Sequence, residues 1–369
     1  MSSSPQAKTS NSQKLANTPG PARGLRVVAI GGGSGLSTLL RGLRRYVSVP
    51  GQPPPLLHSV NASPPLPPSY AAKAFIADLA AVVTVTDDGG SSGRLRRDMK
   101  MLPPGDLRNC MVALCEEEDL LAQLLNHRFR SGDGLEGHSF GNLFLAALTE
   151  VTGDFARAIQ VASKILATRG RIYPVTTANA TLVARTDDGS LVRGETNITA
   201  SKLRIAELML DPPDAPPLPE TIEAIAKADL ISIGPGSLYT SLITNLLVRD
   251  MPEALVRATG TRVFVCNLMA QANESLGLSA SQHIERIYEH TGAPIFDYAM
   301  VNTAPFSLST LERYKLEGST PIEADVERVE AMGIRCITGR FASEEYVVRH
   351  AAAHVAEVLL GLGCSRAAR

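Results

Sequence analysis

At 369 residues the chain can bury a full core, as one large domain or two modest ones. Apolar residues make up 44% and charged residues 20%, an ordinary globular balance, and a net charge of −1 gives no bulk attraction to nucleic acid or membrane. The five cysteines (Cys110, Cys115, Cys266, Cys336, Cys364) form no C-x-x-C pair and the histidines are equally scattered, which argues against structural zinc and for buried thiols in a reducing cytosol.

No apolar run approaches the ~20 residues of a membrane span. Residues 1–23 are rich in Ser, Asn, Pro and Lys and lack an apolar h-region, so they read as a disordered tail and not as a secretory signal. Their basic, acid-free composition also fits a transit peptide. A cytoplasmic location is the expectation.

The first element is a short apolar strand at 25–30 (LRVVAI), followed by Gly31-Gly32-Gly33-Ser34-Gly35 and an amphipathic helix at 36–46. Strand, glycine loop, helix is how an α/β protein builds a phosphate site. Glycines let the backbone approach the ligand, and free N–H groups at the helix start face the anion. Ser34, Ser37 and Thr38 add hydroxyls. A dinucleotide fingerprint needs G-x-G-x-x-G and an acidic residue about 20 positions on. Counted from Gly31 the sixth position is Leu36, from Gly33 it is Thr38, and no carboxylate follows until Asp78. NAD is therefore disfavoured. No lysine follows the glycines in Walker fashion, which disfavours ATP γ-phosphate chemistry.

Residues 49–69 are proline-rich and read as a surface insertion. A strand at 81–86 (AVVTVT) then ends in Asp87-Asp88-Gly89-Gly90-Ser91-Ser92-Gly93-Arg94. Adjacent carboxylates at a strand end can hold Mg²⁺ or orient a hydroxyl, and the Gly/Ser run with Arg94 offers donors to phosphate. A capped turn is the plainer reading. Asp106 is expected to cap a helical region reaching 129, with further helices at 142–151 and 155–168. His138 and Asn142 open the first of these; the histidine is an acid/base candidate or a helix-start hydrogen-bonder.

The middle of the chain changes style. TLVAR at 181–185, a Thr-Asp-Asp-Gly turn and LVR at 191–193 predict a β-hairpin, with another strand at 196–198. Alternation then resumes: helix 219–228, strand 230–233, helix 237–247, strand 262–267, helix 279–290, strand 298–302. The second strand–glycine–helix transition carries Gly234, Gly236 and Ser237. The amide-rich loop 267–274, starting at Asn267, has groups able to read a base or sugar. These elements predict an α/β fold, a doubly wound, mostly parallel sheet with an antiparallel hairpin elaboration in the middle. The expected boundaries are a tail at 1–23, one α/β domain at 24–361 and a C-terminal tail at 362–369. No Ser–His–Asp order supports a nucleophilic hydrolase.

The segments GGGSGL, TVTDDGGSSGRLR, PPGDLRNC, HSFGNLFLAAL, ADLISIGPGSLYTSLITNLLV and VFVCNLMAQ resemble, in order and over about 25–350, the YvcK group of gluconeogenesis factors. That group is related to CofD, the 2-phospho-L-lactate transferase of deazaflavin cofactor synthesis. Departures are the proline-rich insertion and AQANE where the family more often shows a TQPGE-like segment. The resemblance implies a Rossmann-like core and a nucleotide diphosphate ligand. In the transferase branch a carboxylate at the Asp87-Asp88 position contacts the deazaflavin acceptor or Mg²⁺. The GGSSGRLR loop looks like the other branch, which is associated with UDP-N-acetylglucosamine binding, cell shape and cell-wall synthesis during gluconeogenic growth. By the same resemblance Tyr314 and Arg349 are implied in nucleotide-sugar contact; without it they read as a surface tyrosine and a helix-start arginine.

Two functions follow as expectations. The favoured one is a UDP-sugar-binding regulator without turnover; the other is a transferase moving a phospho-acyl group to a hydroxyl, with Asp87 and Asp88 as its catalytic pair. Expected partners are a UDP-sugar or other nucleotide diphosphate, with homo-oligomerisation open and neither nucleic acid nor a membrane involved. Mg²⁺ at Asp88 is the one cofactor the residues offer.

Overall fold

The computed structural model of the chain describes residues 23–57, 74–116, 120–271 and 274–365. The tail at 1–22 and residues 58–69 of the proline-rich insertion lie outside them. Unbroken apolar runs suit strands covered on both faces, and they pair in parallel here. Arg23–Gly31 (β1) lies beside Ala74–Val83 (β2), which in turn pairs with Arg171–Pro174 (β3). Thr181–Thr186 (β4), Leu191–Arg193 (β5) and Ile205–Asp211 (β6) form a separate antiparallel sheet, ordered β5-β4-β6. Leu230–Ile233 (β7), Thr261–Val265 (β8), Tyr298–Asn302 (β9) and Arg335–Gly339 (β10) complete the main sheet. Its order is β10-β9-β8-β7-β1-β2-β3, parallel throughout. A short hairpin of Ala342–Glu344 (β11) and Val348–His350 (β12) follows.

The chain leaves β1 toward β2 on one side and returns to β7 on the other. The order therefore reverses between β1 and β7, the point where open α/β sheets collect their ligands. The helix Gly33–Arg44 covers this region with Leu36, Leu39, Leu40 and Leu43, spaced as one apolar stripe and all buried. The α/β class, the parallel sheet and the hairpin elaboration are as expected. No helix among the described residues is long and apolar enough to cross a membrane. All five cysteines are buried and none is disulfide-bonded.

Four expectations are corrected. Residues 196–198 belong to a helix, Glu195–Ala200, not a strand. Its start is capped from across the fold by Asp88, a tertiary contact that outweighs β-branched propensity. The helix expected to run to 129 stops at Leu114, turns extended at Cys115, and a second helix spans Leu120–Asn126. Asp106 does not cap it: Pro104 holds the N-cap position, and the Asp106 side chain bonds elsewhere. Finally, 362–365 is not a tail. The helix Ala352–Ser365 runs through it with Leu362 and Cys364 buried. A helix apolar all round shows no stripe to announce it, and this one is buried.

Candidate functional site

With every pairing in the main sheet parallel, the C-terminal ends of β1, β2, β7 and β8 open on one edge. At the end of β1 the chain passes straight into the helix Gly33–Arg44, and Gly33 adopts φ +60°, a left-handed conformation that favours glycine. Gly35 presses against the loop after β7. A Cβ added there would stand 2.5 Å from the Pro235 carbonyl oxygen, so only glycine lets the two turns touch. The second turn is held from β8: Asn267 accepts the Gly236 N–H (3.1 Å) and donates its amide to the Gly236 carbonyl (2.7 Å). Asn267 belongs to the loop expected to read a base or sugar; here its amide is engaged by the loop backbone. Beyond Ser237 the helix opens as a π-helical turn, Leu238–Ile243, in which the Ser241 and Leu242 N–H groups both bond the Ser237 carbonyl.

These turns enclose a cavity of ≈ 290 Å³ lined by Gly32, Gly33, Ser34, Gly35, Gly236, Ser237, Asn267, Tyr314 and Arg349, with Thr38, Gln271 and His350 beside them. Ten residues named from the sequence, Thr38 among them, thus converge. The Ser37 and Thr38 hydroxyls turn back to the Ser34 carbonyl, and Arg41 donates to Thr38. The N–H groups of Ser34 and Gly35, by contrast, are left by the geometry of the helix start without intrahelical partners. Tyr314, on the helix Leu308–Leu316, accepts the Val348 N–H through its hydroxyl (2.9 Å), so it steadies the strand β12 that carries Arg349. Arg349 itself is exposed and lies in β12, not at a helix start. Partial burial and then the Arg349 charge lower the pKa of Arg41. His350 lies 3.0 Å from the Cys266 carbonyl through Nε2, and burial pushes its pKa down to about 4, so it is neutral. Residues 272–273 of the amide-rich loop lie outside the described residues.

The remaining candidates divide. Asp88, Gly89, Gly90, Ser91 and Arg94 line a second cavity of ≈ 690 Å³, with Arg97, Arg128, Gly137, Thr196 and Asn197. Gly31, Gly234, Asp87, Ser92 and Asn142 do not line either cavity. Asn142 is buried and donates to the Ser91 hydroxyl (3.1 Å), and that hydroxyl also meets His138 Nδ1 at 2.9 Å. Burial first, then Arg94 nearby, lowers the pKa of His138, which favours its neutral form.

Carboxylates stand at the boundary between the cavities. Asp106 accepts the Gly33 N–H at 2.8 Å, on the first cavity's side. Asp87 accepts the Gly89 N–H at 2.9 Å, on the second's. Burial, with Asp87 adding, pushes the pKa of Asp106 up to about 6, and burial plus Asp87 and Asp106 raise that of Glu195 well above the carboxylate range. Asp106 was missed as a site residue because its position beside Pro103-Pro104-Gly105 reads as a helix cap. Asp88 accepts both the N–H (2.8 Å) and hydroxyl (2.6 Å) of Thr196. Among the described residues no three His, Cys, Asp or Glu groups form a metal-holding set. Mg²⁺ at Asp88 would therefore take most of its ligands from a bound phosphate and water.

Two glycine turns meeting at a sheet's switch point define a doubly wound α/β protein with backbone donors gathered at one cavity. The chain belongs to the CofD family: the family model described as 2-phospho-L-lactate transferase CofD matches residues 27–342. It is 43% identical over 335 residues to the gluconeogenesis factor of Halalkalibacterium halodurans, covering 90% of this chain and 95% of that one. It is 40% identical over 338 residues to the gluconeogenesis factor of Bacillus subtilis, covering 91% and 98%. A crystal structure of a Bacillus halodurans protein, 42% identical, superposes with a TM-score of 0.81 over 92% of this chain and all of that one.

Proposed function

We propose that the first cavity binds the diphosphate and sugar of a UDP-sugar, UDP-N-acetylglucosamine in particular, and that the protein is a regulator without turnover acting on gluconeogenic growth, cell shape and cell-wall synthesis. The observation that carries this is the convergence of both glycine turns with Tyr314 and Arg349 on one cavity. Backbone N–H groups suit the diphosphate. The fork of Arg349 can pair with phosphate or stack on the uracil ring. The relatives of Halalkalibacterium halodurans and Bacillus subtilis, each named a gluconeogenesis factor, support the gluconeogenic part of this reading.

A second reading is a transferase, favoured by the description of the matching family model. There an acceptor hydroxyl oxygen would attack the phosphorus of a phospho-acyl group, the P–O bond to the nucleotide phosphate would break, and the nucleoside monophosphate would leave. The hydroxyl proton would need a carboxylate base. Asp87 and Asp88 are both engaged by protein donors, which favours the first reading.

Calorimetric titration separates the two. UDP-N-acetylglucosamine should bind more tightly than GDP, with no product formed over hours with or without Mg²⁺. Arg349→Ala should weaken binding by about 10- to 150-fold, the loss of one charge-assisted contact. Tighter GDP binding, or release of GMP from a phospho-acyl donor with a deazaflavin acceptor, would establish the transferase reading instead.

A further inference from the structure

We infer that the second cavity is a separate site for a small polyanion, a metabolite carrying a phosphate and at least one further anionic group. Three guanidinium groups, Arg94, Arg97 and Arg128, line the ≈ 690 Å³ space. None of the three forms an ion pair with a carboxylate among the described residues. Arg94 donates to the Glu136 carbonyl at 2.7 Å and Arg128 to that of Gly137, which aims both forks while leaving most of their N–H groups unspent. Like charges gathered around one cavity repel one another, and an anion between them removes that cost and takes bidentate bonds from the forks.

The floor of the cavity adds neutral donors. The helix Gly90–Asp98 starts there, and its N-cap residue Gly89 offers no side-chain acceptor to the first N–H groups. The Ser91 hydroxyl is fixed between His138 and Asn142. The one carboxylate in the lining, Asp88, is turned to Thr196.

The site is distinct from the nucleotide cavity. No lining residue is shared, and the carboxylates Asp87 and Asp106 stand at the boundary. The inference stands independently of the UDP-sugar reading.

Inorganic pyrophosphate, titrated calorimetrically into the full chain at low salt, is the probe. Among the described residues Arg97 makes no side-chain hydrogen bond or ion pair, so Arg97→Glu should keep the melting temperature of the native protein while weakening pyrophosphate about 10-fold or more. Arg128→Ala should weaken it similarly, and Gly33→Val should leave the arginine-dependent part of this binding in place, removing only what the glycine cradle of the first cavity takes up. No measurable pyrophosphate binding to the native chain, or binding unchanged in Arg97→Glu, overturns the second site. Binding lost in Gly33→Val but kept in Arg97→Glu overturns it too, while leaving the nucleotide reading intact. Binding lost only in the arginine variants, with UDP-N-acetylglucosamine failing to bind the native chain, supports this site and sinks the other.

Discussion

The two cavities flank the same carboxylates and gather positive potential by opposite means. The first relies on main-chain N–H groups brought in by glycine, with a single exposed arginine, Arg349, on its lining. The second has glycines too, but its charge comes from Arg94, Arg97 and Arg128. Main-chain donors are short-ranged and fixed, so they discriminate by shape and fail when the backbone is displaced. Guanidinium groups act over longer distances on flexible stems, so they tolerate small shifts and respond to charge and salt. One cavity is built to choose a ligand's shape; the other is built to hold its charge.

The largest expected effect tests the backbone cradle. Gly33→Val places a β-branched residue at φ +60°, which costs of order 1–3 kcal/mol locally and re-aims the loop. Two charge-assisted bonds lost together should lower UDP-N-acetylglucosamine affinity by about 100-fold or more. The far-UV circular dichroism spectrum should be unchanged. Retained affinity in the folded variant would remove the glycine turn from the site and erase the contrast between the cavities.

The same contrast governs what the sequence reveals. A backbone cradle is local, so GGGSG after an apolar strand is legible as such, as are the 181–193 hairpin and the 230–233 strand. The polyanion cavity is not local. Arg128 and Gly137 come from a loop that follows the broken helix, and Thr196 from a segment that reads as a strand. Only folding joins them to Arg94 and Arg97. Asn267 and Asp88 line the two cavities, yet their side chains are engaged by Gly236 and Thr196, contacts that no spacing rule encodes. Asp106 is the sharpest case, since its role depends on Gly33, 73 positions away in sequence.

Asp106 also makes the cavities depend on pH. Its pKa in the folded chain is about 6, above the ordinary carboxylate value. A raised pKa means its favourable contribution is complete below about pH 4 and is lost as pH rises through about 6. At pH 7.5 the buried ionised group then costs of order 2–3 kcal/mol relative to its protonated form. Asp106→Asn keeps an acceptor for the Gly33 N–H and removes the charge. Its melting temperature at pH 7.5 should therefore rise, and its stability between pH 4 and 7 should flatten. UDP-N-acetylglucosamine should also bind more tightly, because the phosphate no longer faces an anion behind the loop. A lower melting temperature with an unchanged pH profile would show that the carboxylate stabilises the native loop as a charge.

The smallest effect separates cap from ligand within the second cavity. Asp88 lines the space but spends an oxygen on the N–H and hydroxyl of Thr196 at the start of the helix Glu195–Ala200. Asp88→Asn retains an acceptor and should keep the urea midpoint nearly unchanged. Asp88→Ala removes it and should cost about 1 kcal/mol, the ordinary value for a lost helix cap. Both substitutions delete a negative charge from an arginine-lined space, so both should tighten pyrophosphate binding modestly in the absence of metal. Titration with and without Mg²⁺ then decides the remaining role. If Asp88 is only a cap, the Mg²⁺ response of the native protein should persist in Asp88→Asn. If that response disappears while stability is kept, the carboxylate holds the ion together with the ligand's phosphates, and the second cavity depends on a metal as well as on its arginines.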